Sequence, residues 1–129
     1  MKNIFALLLA SAVLLAIPSC KKSVTWTIDD FVGTWNGSWQ TVLDGGISVG
    51  TGGQSAVLEI ARDHSYVLEL SGGIPEGEVA VYEGQASASD GYLILEGEFR
   101  DRLEVIGDVK AGGVDLMGET LNLVYMERE

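Results

Sequence analysis

Few side chains in this sequence are of a type that does chemistry, and their spacing decides what each can do. His64 is the one histidine, flanked by Asp63 and Ser65. These are the residue types of an acid–base relay. Neighbours along a turn do not face one another, however, so a relay would need partners brought in by the fold. Glu96 and Glu98 stand two apart, which on a strand puts both carboxyls on one face. A glycosidase pair needs about 5–5.5 Å or 6.5–9.5 Å between carboxyls, in a cleft that drives their pKa values apart. No cleft is signalled around them, and outward solvation is the expectation. The run from Asp44 to Gly53 is glycine-rich. A phosphate cradle would have it lead into a helix with a lysine nearby. Here a strand pattern follows and no lysine is present, so the run reads as a loop and a possible gate. Calcium-loop spacing is absent, and zinc would lack ligands. The sequence therefore implies no metal, no cofactor and no catalytic set.

Trp26, Trp35 and Trp39 carry more information. Trp35 and Trp39 share a face of one strand, about 13 Å apart along it. They suit core packing, or a hydrophobic or sugar-stacking pocket.

The elements that hold these residues are strands. Glycine is abundant, proline nearly absent, and apolar residues alternate in short runs without a sustained 3.6-residue period. Thr27 to Phe31 reads as one helical turn capped by Thr27. Thr34 to Val42 follows, with Trp35, Gly37, Trp39 and Thr41 on one face. Ser55 to Ala61 directs Ala56, Leu58 and Ile60 inward, and Tyr66 to Ser71 returns with Tyr66, Leu68 and Leu70. Glu78 to Ala86 is a strand and Ser87 to Gly91 a turn. Tyr92 to Phe99 places Leu93, Leu95, Gly97 and Phe99 together. Arg102 to Gly107 is shorter, Val109 to Met117 is interrupted by Gly112-Gly113, and Leu121 to Arg128 turns Leu121, Leu123 and Tyr125 to one side. Seven or eight strands in meander order, with no helix to cover them, must curl or split. The expected fold is all-β: a single small antiparallel up-and-down barrel of about eight strands, preceded by a short helical turn. A β-sandwich is the alternative.

Composition narrows the partners. The formal net charge is −11, from 19 acidic and 8 basic residues. Nucleic acid is excluded as a partner by that sign, because phosphate binding needs a basic surface. A basic protein or a neutral ligand is compatible. Cys20 is the single cysteine, so no intramolecular disulfide can form and stability must come from the core.

The first 20 residues stand apart. Met1-Lys2-Asn3 precedes an apolar run from Ile4 to Ile17, about 14 residues long and shorter than the roughly 20 of a membrane-spanning helix. Ile17-Pro18-Ser19-Cys20 then resembles the lipobox of bacterial lipoproteins. The resemblance implies a lipid on Cys20 and cleavage before it. It divides the chain into a signal peptide (1–19), a lipidated tether (20–27) and a domain (28–129). Lys21 and Lys22 suit anionic headgroups. No acidic stretch follows Cys20, of the kind that resembles surface-export signals, and no Asp stands at position 21 as a retention signal. The expected location is the cell envelope, at the periplasmic face of an outer membrane.

Phe31-Val32-Gly33-Thr34-Trp35 resembles the Gly-x-Trp entry of lipocalins and other calycins. The final run, Leu121 to Arg128, resembles the last strand of small bacterial lipocalin-like domains. The resemblance covers 31–128 in strand rhythm. It implies that Trp35 closes one barrel end and that Arg128 stacks on it. The chain lacks the large lipocalins' length and C-terminal helix. Gly33-Thr34-Trp35 is also similar to the start of avidin, but no tryptophan follows Trp39 to build a biotin site.

The functional expectation is a membrane-tethered, non-enzymatic binding module for a small apolar or amphipathic ligand, lined by Trp39, Leu58, Leu68, Leu70, Leu93, Leu95 and Leu123. The alternatives are a protein-interaction module, resembling lysozyme inhibitors that cap a basic partner with a loop, and a structural envelope protein.

Overall fold

Alternating apolar residues need a shared inner face, and the chain obtains one by rolling its strands into a ring. The computed structural model describes residues 25–42, 48–49, 53–72 and 78–129. A 3-10 turn, Ile28–Phe31, leads into nine strands: β1 (Gly33–Val42), β2 (Ser48–Val49), β3 (Ser55–Ile60), β4 (Ser65–Ser71), β5 (Val79–Ser89), β6 (Tyr92–Gly97), β7 (Asp101–Asp108), β8 (Gly113–Met117) and β9 (Leu121–Arg128). All pairings are antiparallel, and consecutive strands from β3 to β9 are neighbours. β1 pairs with β3 on one side and with β9 on the other, which closes an eight-stranded barrel. β2 adds a two-residue ladder beyond β3, at the end of β1. The sheet does not split into the two layers of a sandwich. A closed ring leaves no long edge for another chain to pair with.

The inward positions form one core. Leu58, Leu68, Leu93, Leu95, Leu103, Leu116, Leu123 and Met126 have no accessible surface. Burying each such side chain contributes roughly 1.5–3 kcal/mol, so these alternating positions hold the ring together without a disulfide. Two glycines let β5 and β6 cross closely. A Cβ on Gly84 would overlap the Glu96 carbonyl, and Gly97 sits at φ 120°, open to glycine alone. β6 ends there. Phe99 therefore lies in the link to β7, against Tyr82 at 5.7 Å between ring centroids, rather than in line with Leu93 and Leu95.

Three other details depart from the sequence expectations. β5 continues to Ser89, so the turn is only Asp90-Gly91. Both residues have positive φ (50° and 86°), as a tight two-residue hairpin needs. The interrupted segment resolves into a turn and β8, with Val109 buried before the glycines. Third, β9 carries a bulge. Asn36 and Ser38 of β1 oppose Glu127 and Val124, and Val114 and Leu116 of β8 oppose Met126 and Leu123, so β9 holds one extra residue against both neighbours. The bulge shifts the alternation by one. Met126 takes the inward place, and Tyr125, expected beside Leu121 and Leu123, is turned outward at 79% exposure.

Candidate functional site: a packed leucine core and a grooved outer wall

One end of the barrel is shut by aromatic packing. The 3-10 turn brings Phe31 between Trp26 and Trp35, at centroid distances of 5.1 and 5.2 Å. The Trp35 indole N–H donates to the Phe31 carbonyl at 2.9 Å. Arg128 lies over the Trp35 ring at 5.0 Å and donates to the carbonyls of Asp30 (2.6 Å) and Lys110 (3.0 Å). Arg128 thus covers Trp35 at this end of the barrel. At the same end His64 Nε2 meets Asp29 Oδ1 at 2.7 Å, which ties the β3–β4 turn to the 3-10 turn. That contact accounts for His64. Asp63 instead binds Ser65, whose hydroxyl and N–H both donate to its carboxylate. They hold its pKa below the ordinary carboxylate value, the hydroxyl contributing most.

The seven residues expected to line a pocket do converge. Trp39, Leu58, Leu68, Leu70, Leu93, Leu95 and Leu123 belong to one core cluster. Leu58, Leu68, Leu93, Leu95 and Leu123 have no accessible surface, and Trp39 and Leu70 keep only 7%. A space that admits water leaves accessible surface on its walls, so the five leucines touch side chains and enclose no such space. Trp39 and Leu70 lie toward the opposite end, where the Trp39 indole donates to the Ser71 carbonyl at 2.9 Å. Most of the glycine-rich run 44–53 lies outside the described residues, as does Cys20.

Glu96 and Glu98 do not form a pair on a strand, because β6 ends between them. Both are exposed, and the Glu98 carboxylate accepts the Glu83 N–H at 2.8 Å. Among the described residues, no cluster of three or more His, Cys, Asp or Glu has a metal-holding arrangement.

Sequence reading missed Asp101. It opens β7 at 7% exposure, and its carboxylate accepts the N–H groups of Arg102, Glu119, Thr120 and Leu121 and the Thr120 hydroxyl. It organises the β8–β9 turn as a capping residue organises a helix start. Gly118 makes room for it, since a Cβ there would overlap the Asp101 carboxylate. A lone acid before a strand, in a chain rich in acids, gave no signal for this role.

The outer wall carries grooves. One of about 360 Å3 includes Glu96, Arg100, Arg102 and Glu119, a mixed-charge lining in which Arg102 already covers the Tyr92 ring at 4.0 Å. Another, of about 330 Å3, runs across β7, β8 and β9 between Ile106, Gly113, Asp115, Tyr125 and Glu127. Chemically, the described surface offers recognition through rings and carboxylates. The barrel is compatible with a calycin-like fold. Searches against protein-family models, curated proteins and solved structures each find no match for this chain.

Proposed function

We propose that the protein is a lipid-anchored, non-enzymatic lipoprotein of the cell envelope that recognises a basic protein through its outer surface. The observation that carries this reading is the packing of the described core, in which Leu58, Leu68, Leu93, Leu95 and Leu123 have no accessible surface. That favours recognition through the outer surface of a chain whose formal net charge is −11. An acidic surface steers and orients a basic partner. The lipobox-like Ile17 to Cys20 supports the anchor, and the absence of export and retention signals supports the periplasmic side of an outer membrane.

The test has two arms. Labelled palmitate supplied to a bacterial host should mark the protein, and Cys20→Ser should abolish the label and release the chain from the membrane fraction. The full-length protein, immobilised in mild detergent, should retain basic envelope proteins at low salt and lose them at high salt, because a charge-driven complex is screened. A fluorescent fatty acid should show no displaceable binding. Retention of nothing at low salt, together with a bound and displaceable fatty acid, would replace this reading with that of an interior ligand carrier.

A further inference from the structure

Tyr125 is a costly residue for the fold to hold where it is. Its φ is 54°, in the left-handed region that glycine and asparagine tolerate and bulky side chains avoid. The bulge needs some residue in that conformation, and a glycine would supply it without strain. The phenol ring gives little packing in return, since the residue is 79% exposed. Strain without a folding return is the pattern of a residue placed for contact.

Its surroundings say what kind of contact. Across the outer faces of β7, β8 and β9, Ile106 stands opposite Asp115, and Gly113 stands opposite Glu127. Nothing lies within 4 Å of where a Gly113 side chain would be, so the wall is open there. Ile106 is 45% exposed and forms the second apolar lip. Asp115 Oδ1 accepts the Tyr125 N–H at 2.8 Å, which fixes the bulge and leaves a carboxylate beside the ring. The result is an open groove of about 330 Å3 with an aromatic face, an aliphatic lip and two carboxylates. That volume is at the bottom of the roughly 300–1,000 Å3 range of ligand pockets. An open groove of that size fits a single long side chain.

The same chain already stacks guanidinium groups on its rings, one buried (Trp35) and one half-buried (Tyr92). Arg102 covers Tyr92 at 4.0 Å and Arg128 covers Trp35 at 5.0 Å. Among the described residues, no cation covers Tyr125. We propose that this groove docks an arginine or lysine side chain of a basic protein partner, with the cation stacked on Tyr125 and paired with Asp115 and Glu127. The assignment rests on the basic-partner reading above and names the place where it is realised. The attraction of a cation to a ring and to flanking carboxylates adds in one direction, and the acidic charge of the whole chain favours the approach.

A fluorescein-labelled arginine-rich peptide, titrated against the full-length protein in mild detergent at low salt, tests it. Tyr125→Gly removes the ring and suits the backbone, so it should melt no lower than the parent chain while weakening binding about three- to tenfold. Tyr125→Asn serves as a second ring-free variant that also tolerates the conformation, and Tyr125→Phe should bind as the parent does. Glu127→Gln should weaken binding more than Glu69→Gln, which removes the same charge from the outer face of β4. If Tyr125→Gly and Tyr125→Asn bind unchanged and the two glutamine variants weaken binding equally, the attraction is diffuse. The groove is then overturned while the basic partner stands. If the parent chain binds no peptide at low salt, both are overturned.

Discussion

Asp101 shows how one side chain can set the conformation of a turn. Its carboxylate receives three consecutive N–H groups, from Glu119, Thr120 and Leu121, and the Thr120 hydroxyl. Hydrogen bonds to a charged acceptor are worth about 1.5–3 kcal/mol each, and those that share one acceptor are not additive. Asp101→Ala should therefore cost about 3 kcal/mol in urea unfolding, and Asp101→Asn, which keeps an acceptor oxygen, distinctly less. Equal losses in the two variants would mean that packing, not acceptance, is what Asp101 supplies. Tyr125 is the opposite case at this scale, a residue that strains the backbone and packs little.

Between elements, Tyr66 joins β4 to the link that follows β6. Its hydroxyl donates to the Phe99 carbonyl and accepts the Phe99 N–H, so both backbone groups of one residue are met. Burial pushes its pKa above the ordinary value near 10, with Glu98 adding to the rise and the Phe99 hydrogen bond opposing it. The sign of the pH effect follows. Below about pH 10 the phenol is protonated in folded and unfolded chains alike, and its contribution is complete. Above that the unfolded chain ionises first, so stability falls as pH rises toward the folded pKa. Tyr66→Phe should cost about 1–2 kcal/mol at neutral pH, from two lost hydrogen bonds. It should also flatten the alkaline fall seen in denaturant midpoints measured from pH 9 to 11. An alkaline fall as steep in the variant as in the parent would assign it to other groups.

Elements were legible in the sequence where alternation was strong. Ala56, Leu58 and Ile60, Tyr66, Leu68 and Leu70, and Leu93 and Leu95 all point inward as their period of two requires. β5 was harder to bound, because its inward residues include Gly84, Ala86 and Ala88, which give a weak apolar signal beside serines. The β9 bulge was invisible. It depends on register against β1 and β8, and a single extra residue reverses which of Tyr125 and Met126 faces the core. For the same reason the groove was not legible, while Trp35 and Arg128 were.

For the whole molecule, charge acts on folding and on the proposed recognition in opposite directions. An acidic surface of this strength repels itself, and added salt screens the repulsion. The melting temperature of the full-length protein should rise as sodium chloride is added, over the same range in which the proposed complex weakens. A melting temperature indifferent to salt would place the acidic groups too far apart to matter for stability.

The contact between Arg128 and the Asp30 carbonyl spans 98 positions of the sequence. β1 thus waits for β9 before its second flank is covered. A nascent chain whose β9 has yet to leave a ribosome or a translocation pore cannot seal itself, and both bare flanks stay open to other chains until β9 docks. Assembly of such a ring is all-or-nothing in time. A chain cut within β9 would leave a ribbon prone to clumping, not a slightly weakened monomer.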